Sequence, residues 1–521
     1  MQKERAEGQR LQLLMTNRLS TLDSTQAHDL YSFMILGQTF EGLTRIDKQG
    51  NVVPGSARAW SIDSGRMTYT FHLRENARWS DGSPVRADDY YFAWRRTVEL
   101  SNGAAYARLL ELIEGVSSYY LGEADLEQMA VEAVDSLTLR VKLVRPSVHF
   151  LEMLAMPTFY PQQRAFVQQA GSNYGTTAGH TVFNGPFRLV KWDAEGLELE
   201  RNDHYWNQAS IQLETVHYRI LFDSEEAQRL YETGGLDRIP LVRSQIPKYE
   251  RHPDFRSRFE VSTGLVLFNT DIPLLSHKEV RRAMTLAIDG HEFAHLIYQN
   301  GSKGATGFIP PGIQYDQNLS FREHFGNLIV RHLDEEATAF RELVRSLGFD
   351  SMPKLTLLFE DGYLGKELGP ILIEQWKRRL GLDVALETVP YLEKNERMAD
   401  RRYELTLSVW GADYNDPLNF LDICQQDHPF NMTGYANPEY DALLRQARQE
   451  AELAKYMDYC FRAERLLMED MPIGPLFFRA GCYLIHDYVS GWHQRSYGVS
   501  HDLSYTSIDM EAKKAMFMPA N

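Results

Sequence analysis

The chain has 521 residues, 43% hydrophobic and 24% charged, with 55 Lys and Arg against 71 Asp and Glu and a formal net charge of −16. Those values exclude a disordered chain and point to a soluble globular protein of about two to four domains. The acidic balance argues against nucleic acid, which needs clustered cations, and no apolar run reaches the ~18–20 residues of a membrane span.

Met1 to Arg10 is charged and lacks an apolar core, so no export signal is read there. Either the protein is cytoplasmic or an export segment has preceded it. Arg10 to Thr16 reads as a strand. Met67 to Leu73 alternates as a strand does, and Asp81-Gly82-Ser83-Pro84 is a turn by composition. Ala87-Asp88-Asp89 opens an aromatic-rich helix, its acids favoured by the helix dipole. A strand pair follows at Ala130 to Val144, then helical turns over Ser147 to Gln169. The Gly/Thr-rich loop Gly171 to Gly179 reads as a crossover between domains.

Asn184-Gly185-Pro186-Phe187 turns into a strand ending at Trp192, and Leu197 to Asn202 pairs with it. Val216 to Leu221 is a further strand and Glu225 to Thr233 a short helix. From about Val261 the pattern becomes α/β. Leu265 to Asn269 is a buried strand and Lys278 to Ala287 an amphipathic helix. Asp334 to Leu347 is a helix closed by Gly348. Lys354 to Phe359 is a strand, Gly369 to Leu380 a helix closed by Gly381, and Asp383 to Val389 a strand. Strand–helix–strand alternation with glycine stops implies parallel pairing. Tyr440 to Gln449 and Met457 to Met468 are the last long helices. The chain leaves one lobe, builds a second and returns, which would leave a cleft able to close on a ligand.

Between these elements lies an informative stretch. The alternating run Tyr403 to Val409 leads into Trp410-Gly411-Ala412-Asp413-Tyr414-Asn415-Asp416-Pro417. A small-residue strand end, an aromatic and a carboxylate suit capture of an extended, positively charged group. Gly411 and Ala412 leave backbone open to a second chain, and Asp413 can meet an ammonium. His291-Glu292-Phe293-Ala294-His295 is an HExxH pattern, whose histidines share a helix face as zinc in a metalloprotease requires, with Glu335 or Glu336 as a third ligand. The competing reading is an ordinary helix capped by Asp289. Hydrolase GxSxG, P-loop and GxGxxG signatures are absent. Cys424, Cys460 and Cys482 form no metal or CxxC pattern and read as small buried hydrophobes.

The order of motifs resembles the peptide-binding proteins of ABC importers, the oligopeptide- and dipeptide-binding class of family 5 extracellular solute-binding proteins. Thr39-Phe40-Glu41-Gly42-Leu43 is similar to an early FEGL element. Leu73 through Trp79-Ser80-Asp81-Gly82-Ser83-Pro84 to Arg96 resembles a WSDG-P signature and its helix. Asn184-Gly185-Pro186-Phe187 and Asn202-Asp203-His204-Tyr205-Trp206 resemble GPY and N–YW elements. Phe268-Asn269-Thr270, Val280-Arg281-Arg282-Ala283 and Ala287-Ile288-Asp289 resemble the NT…VRxA…AID block. Ala412 to Pro417 resembles ADYxDP. Asn437-Pro438-Glu439-Tyr440-Asp441 and Met471 to Leu476 follow in place. Each motif is weak alone; their order over most of the chain is specific.

The resemblance implies an α/β periplasmic-binding-protein-like fold with mixed sheets, two lobes and a hinged ligand cleft. Its three domains are 1–48 with 181–264 and 484–521, then 49–180, then 265–483. It implies a monomeric, extracytoplasmic receptor, periplasmic or held as a lipoprotein by a lipid anchor. It would hand oligopeptides to a permease with separate ATPase subunits, with no enzymatic activity, cofactor or metal. Asp413 would meet the peptide amine, a contact of ~1.5–3 kcal/mol; the competing role is capping the turn at Asn415-Asp416-Pro417. Trp410, Gly411, Ala412 and Tyr414 would line the main chain, as in strand addition. Leu22-Asp23-Ser24 stands where the family has LDP, which places contacts near His28, Asp29 and Leu30. Tyr106 would line the cleft or serve the core, and Asn269 would hold ligand or a turn. Pro186, Trp192, Tyr205 and Trp206 read as fold residues. Cations that fix the peptide carboxyl end in some members are replaced by Leu407 and Gly365, with Lys366 adjacent, so the back end reads as loosely specified. Nickel chelates, haem, sugars and opines are alternative ligands on the same fold.

Overall fold

A computed structural model of the protein describes residues 8–99, 104–147, 149–298, 301–315, 319–331, 337–450 and 452–517, without the side chains of 295–298 and 363–367. The backbone divides into two compact units, Met1–Ile239 with Leu484–Asn521, and 240–483.

In the first unit, β1 (Arg10–Met15) buries Leu11, Leu13 and Met15 on alternate positions, as a one-sided strand must. A second sheet is built from β2 (Ala57–Ile62), β3 (Thr68–Leu73), β4 (Val131–Asp135) and β5 (Thr138–Lys142), in the order β2-β3-β5-β4. The partners of β1 are β6 (Phe187–Trp192), β7 (Gly196–Arg201) and β8 (Thr215–Ile220), in the order β1-β8-β7-β6. Helix α1 (Leu30–Thr39) starts where the Asp29 carboxylate accepts from the Tyr31 and Ser32 N–H groups, satisfying two donors that a helix start leaves open. Helix α2 (Ala87–Glu99) carries Asp88 and Asp89 in its first turn, as its composition predicts.

The glycine-rich loop at 171–179 lies inside this unit. Gly175 has φ +75°, and a Cβ there would meet the Asp23 N at 2.3 Å, so only glycine fits. The chain crosses between the two units after Ile239 and after Tyr483.

The second unit is built on β9 (Phe255–Phe268), β10 (Leu355–Glu360), β11 (Val384–Val389), β12 (Leu405–Gly411) and β13 (Ile473–Ile485), in the order β13-β9-β12-β10-β11. β10 pairs in parallel with β11 and with β12, as the strand–helix–strand pattern predicts. β9 runs antiparallel to β12, with Phe268 opposite Leu405 and Ser262 opposite Gly411, so the sheet is mixed. Residues 240–264, expected with the first lobe, group with this unit. The reason is visible in β9: one continuous strand runs through the expected boundary at 264/265.

Helices α3 (Lys278–Leu286), α4 (Gly290–Tyr298), α5 (Ala337–Ser346), α6 (Tyr363–Leu380), α7 (Tyr391–Ala399), α8 (Pro438–Gln449) and α9 (Leu453–Asp470) belong to the same unit. α6 begins ahead of the predicted Gly369 and keeps Pro370 in its interior. Pro370 removes one helical hydrogen bond, but Leu372, Trp376 and Leu380 on one face are fully buried. Each large apolar side chain buried in this way contributes ~1.5–3 kcal/mol. Trp376 also donates Nε1–H to the Met284 carbonyl at 2.9 Å. Residues 334–336 of the predicted Asp334–Leu347 helix lie outside the described residues.

Candidate functional site

The informative stretch begins on β12. Leu405, Thr406 and Leu407 are consecutive and all buried, so this part is a central strand covered on both faces. Burial then falls off through Ser408, Val409 and Trp410 to the exposed Gly411. The ladder to β10 covers Leu405 and Thr406, while the ladder to β9 continues to Gly411. Backbone groups alternate in direction along a strand. The Ala412 N–H reaches Val261 O on the β9 side at 2.8 Å. The N–H and C=O groups of Val409 and Gly411 therefore point away from β9, along an edge past the last paired residue of β10. An extended chain can add to such an edge.

The segment after β12 is fixed by Asn419 and Asp416. Trp410 donates Nε1–H to Asn419 O at 2.9 Å, and its ring meets Phe430 edge-on at 5.2 Å. The Asp413 N–H donates to Asn419 Oδ1 at 3.1 Å, and Asn419 Nδ2 donates to Asp413 Oδ2 at 3.4 Å. One residue thus sets both, the aromatic through its backbone carbonyl and the carboxylate through its side chain. The turn cap is Asp416, which accepts from the Leu418 N–H at 2.7 Å and from the Tyr456 hydroxyl at 2.5 Å. The Gln314 N–H donates to Asn415 Oδ1 at 3.0 Å. Tyr414 is buried, and burial pushes its phenol well above the ordinary range, reinforced by Asp416, Asp422 and Asp413. Of the two small residues expected to open the backbone, Gly411 is exposed. Ala412 is buried, with its N–H engaged in the sheet.

Asn269 does not fit a ligand role. Its Nδ2 donates to the Arg401 and Tyr403 carbonyls at 3.0 and 2.7 Å, and its Oδ1 accepts from the Asp271 N–H. Its side chain is buried and used at both ends to hold the turn before β12.

The remaining candidates belong to the first unit. Asp29 serves as the α1 cap. Next to it, His28 is exposed and contacts Gln26 O through Nδ1 at 3.0 Å, while Leu30 is 54% exposed in the first turn. An apolar side chain that exposed at a helix start is available to a ligand. Tyr106 is half-buried against Phe33 of α1, ring centroids 5.1 Å apart. Nearby, Asp23 takes both Arg96 guanidinium nitrogens at 2.7 and 2.6 Å. Ser24, in the place of a proline, accepts from Gln162 Nε2 at 3.0 Å.

The HExxH segment forms α4, and the Asp289 carboxylate accepts from the His291 and Glu292 N–H groups, as the capping reading predicts. Glu292 is ion-paired with Arg378 at 3.3 Å. The His295 side chain, Glu335 and Glu336 lie outside the described residues. Cys424, Cys460 and Cys482 are free and buried, as read.

Sequence reasoning missed Asn419, Phe430 and Tyr456, whose partners are decided by packing. It also missed Lys394. This side chain on α7 is buried, and Nζ donates to Leu407 O at 2.8 Å and sits 5.2 Å from the Phe359 ring centre. Gly365 and Lys366 lie in the part of α6 without described side chains.

A family model for bacterial extracellular solute-binding proteins, family 5 middle, matches residues 51–431. The dipeptide-binding protein DppE of Bacillus subtilis (strain 168) is 28% identical over 476 residues, covering 91% of this chain and 88% of that protein. The substrate-binding domain of an oligopeptide ABC transporter from Bacillus anthracis superposes with a TM-score of 0.92 at 29% identity, covering 96% of this chain and 99% of that one. Listeria monocytogenes OppA bound to peptide gives a TM-score of 0.90 at 29% identity with the same coverage.

Proposed function

The chain belongs to the bacterial extracellular solute-binding proteins of family 5, and from that premise we propose that it captures oligopeptides and delivers them to an ABC importer. The observation that carries the reading is the exit of β12. An open strand edge offers main-chain donors and acceptors at Val409 and Gly411, and Asp413 stands at its end, set by Asn419. Main-chain pairing recognises any peptide, because it uses groups common to all residues. The Asp413 carboxylate adds a preference for a free amino terminus. A peptide fits this donor and acceptor pattern better than a nickel chelate, haem, sugar or opine, which have no repeating N–H and C=O groups.

The reading assigns no bond-breaking step. Glu292, the base that a zinc protease would need, is paired with Arg378. Among the described residues no helix is long and apolar enough to cross a membrane. The protein would act outside the membrane, as a monomer, beside a permease driven by separate ATPase subunits.

Asp413→Ala tests the reading. With a mixed peptide pool followed by calorimetry, the variant should lose about tenfold or more in affinity for peptides with free amino termini. The N-acetylated peptides should change by about twofold or less. Equal losses for both sets would remove the proposed role of Asp413.

A further inference from the structure

Buried cations are normally paired, because removing an ammonium from water costs several kcal/mol. Lys394 departs from that rule. It is 7% exposed, it forms no ion pair among the described residues, and its Nζ donates a hydrogen bond to the Leu407 carbonyl. Burial pulls its pKa below the ordinary lysine range, and the Glu360 carboxylate offsets part of that. An ammonium has three donors, and the contact to Leu407 O uses one.

The place is as telling as the burial. Leu407 is the first residue of β12 past the ladder to β10. Its carbonyl points away from β9, on the edge that carries the free groups of Val409 and Gly411. Lys394 therefore closes one end of that edge, and Asp413 stands beyond the other. This is also where the parallel ladder of β10 and β12 ends while the antiparallel ladder of β12 and β9 continues. Ligands of open α/β sheets collect at the carboxyl ends of strands at such changes of order.

A peptide whose amine meets Asp413 runs back along β12, antiparallel to it. It pairs with Gly411 and then, two residues on, with Val409. The next pairing point is Leu407 O, already occupied by Lys394 Nζ. At ~3.4 Å per residue, the carboxylate of a peptide of about four residues arrives at that ammonium. We infer that Lys394 is a second charged anchor, receiving the terminal carboxylate of a peptide of about four residues laid along the open edge of β12. This rests on the peptide reading and gives it a length and a second end. A longer peptide would have to leave the edge before Leu407, losing the carboxylate contact.

The experiment uses the full chain and an equimolar pool of tetrapeptides, as free acids and as carboxyl-terminal amides. Calorimetry follows binding to the parent, Lys394→Met and Lys394→Arg. The parent should bind the acids about tenfold more tightly than the amides. Lys394→Met should shrink that ratio to about twofold while leaving the ratio of free-amine to N-acetylated peptides unchanged, and Lys394→Arg should restore part of the preference. Among unmodified peptides of increasing length, parent affinity should peak near four residues. Equal binding of acids and amides by the parent would overturn the anchor while leaving peptide capture standing. A Lys394→Met variant that weakens both forms alike would reduce the residue to a structural one. If no peptide binds in any form, the peptide reading falls and the anchor with it.

Discussion

Two polar clusters in this molecule are built on opposite plans. In the first unit Glu41 is enclosed by four donors. The Tyr205 hydroxyl, Trp206 Nε1 and Ser56 Oγ reach it at 2.5, 2.6 and 3.3 Å, with the Arg45 guanidinium at 3.5 Å. Arg45 also pairs with Asp502 at 3.2 Å, and Arg495 reaches the same carboxylate at 3.1 Å. Every charge there has an opposite charge beside it. Beside β12 in the second unit, the ammonium of Lys394 faces a backbone carbonyl instead, next to a strand edge with donors and acceptors to spare. A closed cluster stores its interaction energy in the fold. An open one leaves part of it for a ligand, which is what a binding site needs.

The sharpest way to break this contrast is Arg45→Ala. It removes the cation shared by the buried carboxylates of Glu41 and Asp502 and should cost about 3–5 kcal/mol in chemical denaturation. Peptide affinity of the remaining folded protein should stay within about twofold. A variant of parental stability would show that the first cluster is not closed in the sense argued.

A smaller effect, of about 2 kcal/mol, separates the clusters by pH. His501 is buried against Trp492 and hydrogen-bonded to the Tyr218 hydroxyl at 2.8 Å. Burial, helped by Arg238 and Arg495, holds its pKa down to about 3. The unfolded chain binds this proton near pH 6.5, the fold does not, and so its contribution is lost as pH falls below that value. Asp89 works the other way: burial raises it to about 6, so acidification from that value relieves a strain. Comparing parent with His501→Phe isolates the histidine. The stability gap should move in the variant's favour by about 2 kcal/mol between pH 7 and pH 5. A gap that does not change with pH would contradict the neutral buried state.

The smallest change sharpens the second cluster. Tyr456→Phe removes the donor to Asp416 and should cost about 1.5 kcal/mol in stability. Because Asp416 fixes the turn that follows Asp413, peptide affinity should also drop several-fold, in contrast to Arg45→Ala. Loss of stability with unaltered affinity would detach this turn from the site.

Much of the fold was legible because it is locally encoded. Alternation in Arg10 to Met15, the Asp289 cap and Gly381 in the left-handed region each act within a few residues. The motif order also pointed to the family. What those motifs do was not legible. Glu41, Asn184, Tyr205 and Trp206 sit in three separate motifs and meet in one knot, where Asn184 Nδ2 donates to Glu41 O at 2.8 Å. Asn269 was open to a ligand or a turn, and its side chain proved to hold the turn. Lys394 was not singled out, although Tyr391, Lys394 and Met398 share the spacing of a buried helix face; that lysine in an apolar stripe was the available signal.

The sequence by itself determined the elements, the turn chemistry around Asp416 and the placing of a carboxylate just after a strand, because these follow from short-range backbone and side-chain preferences. Only the tertiary structure decided that β10 stops pairing at Thr406, that Asn419 sets both Trp410 and Asp413, and that α7 brings an ammonium to Leu407 O. Register, burial and long-range hydrogen bonds depend on which distant segments pack together, and no local pattern carries that information.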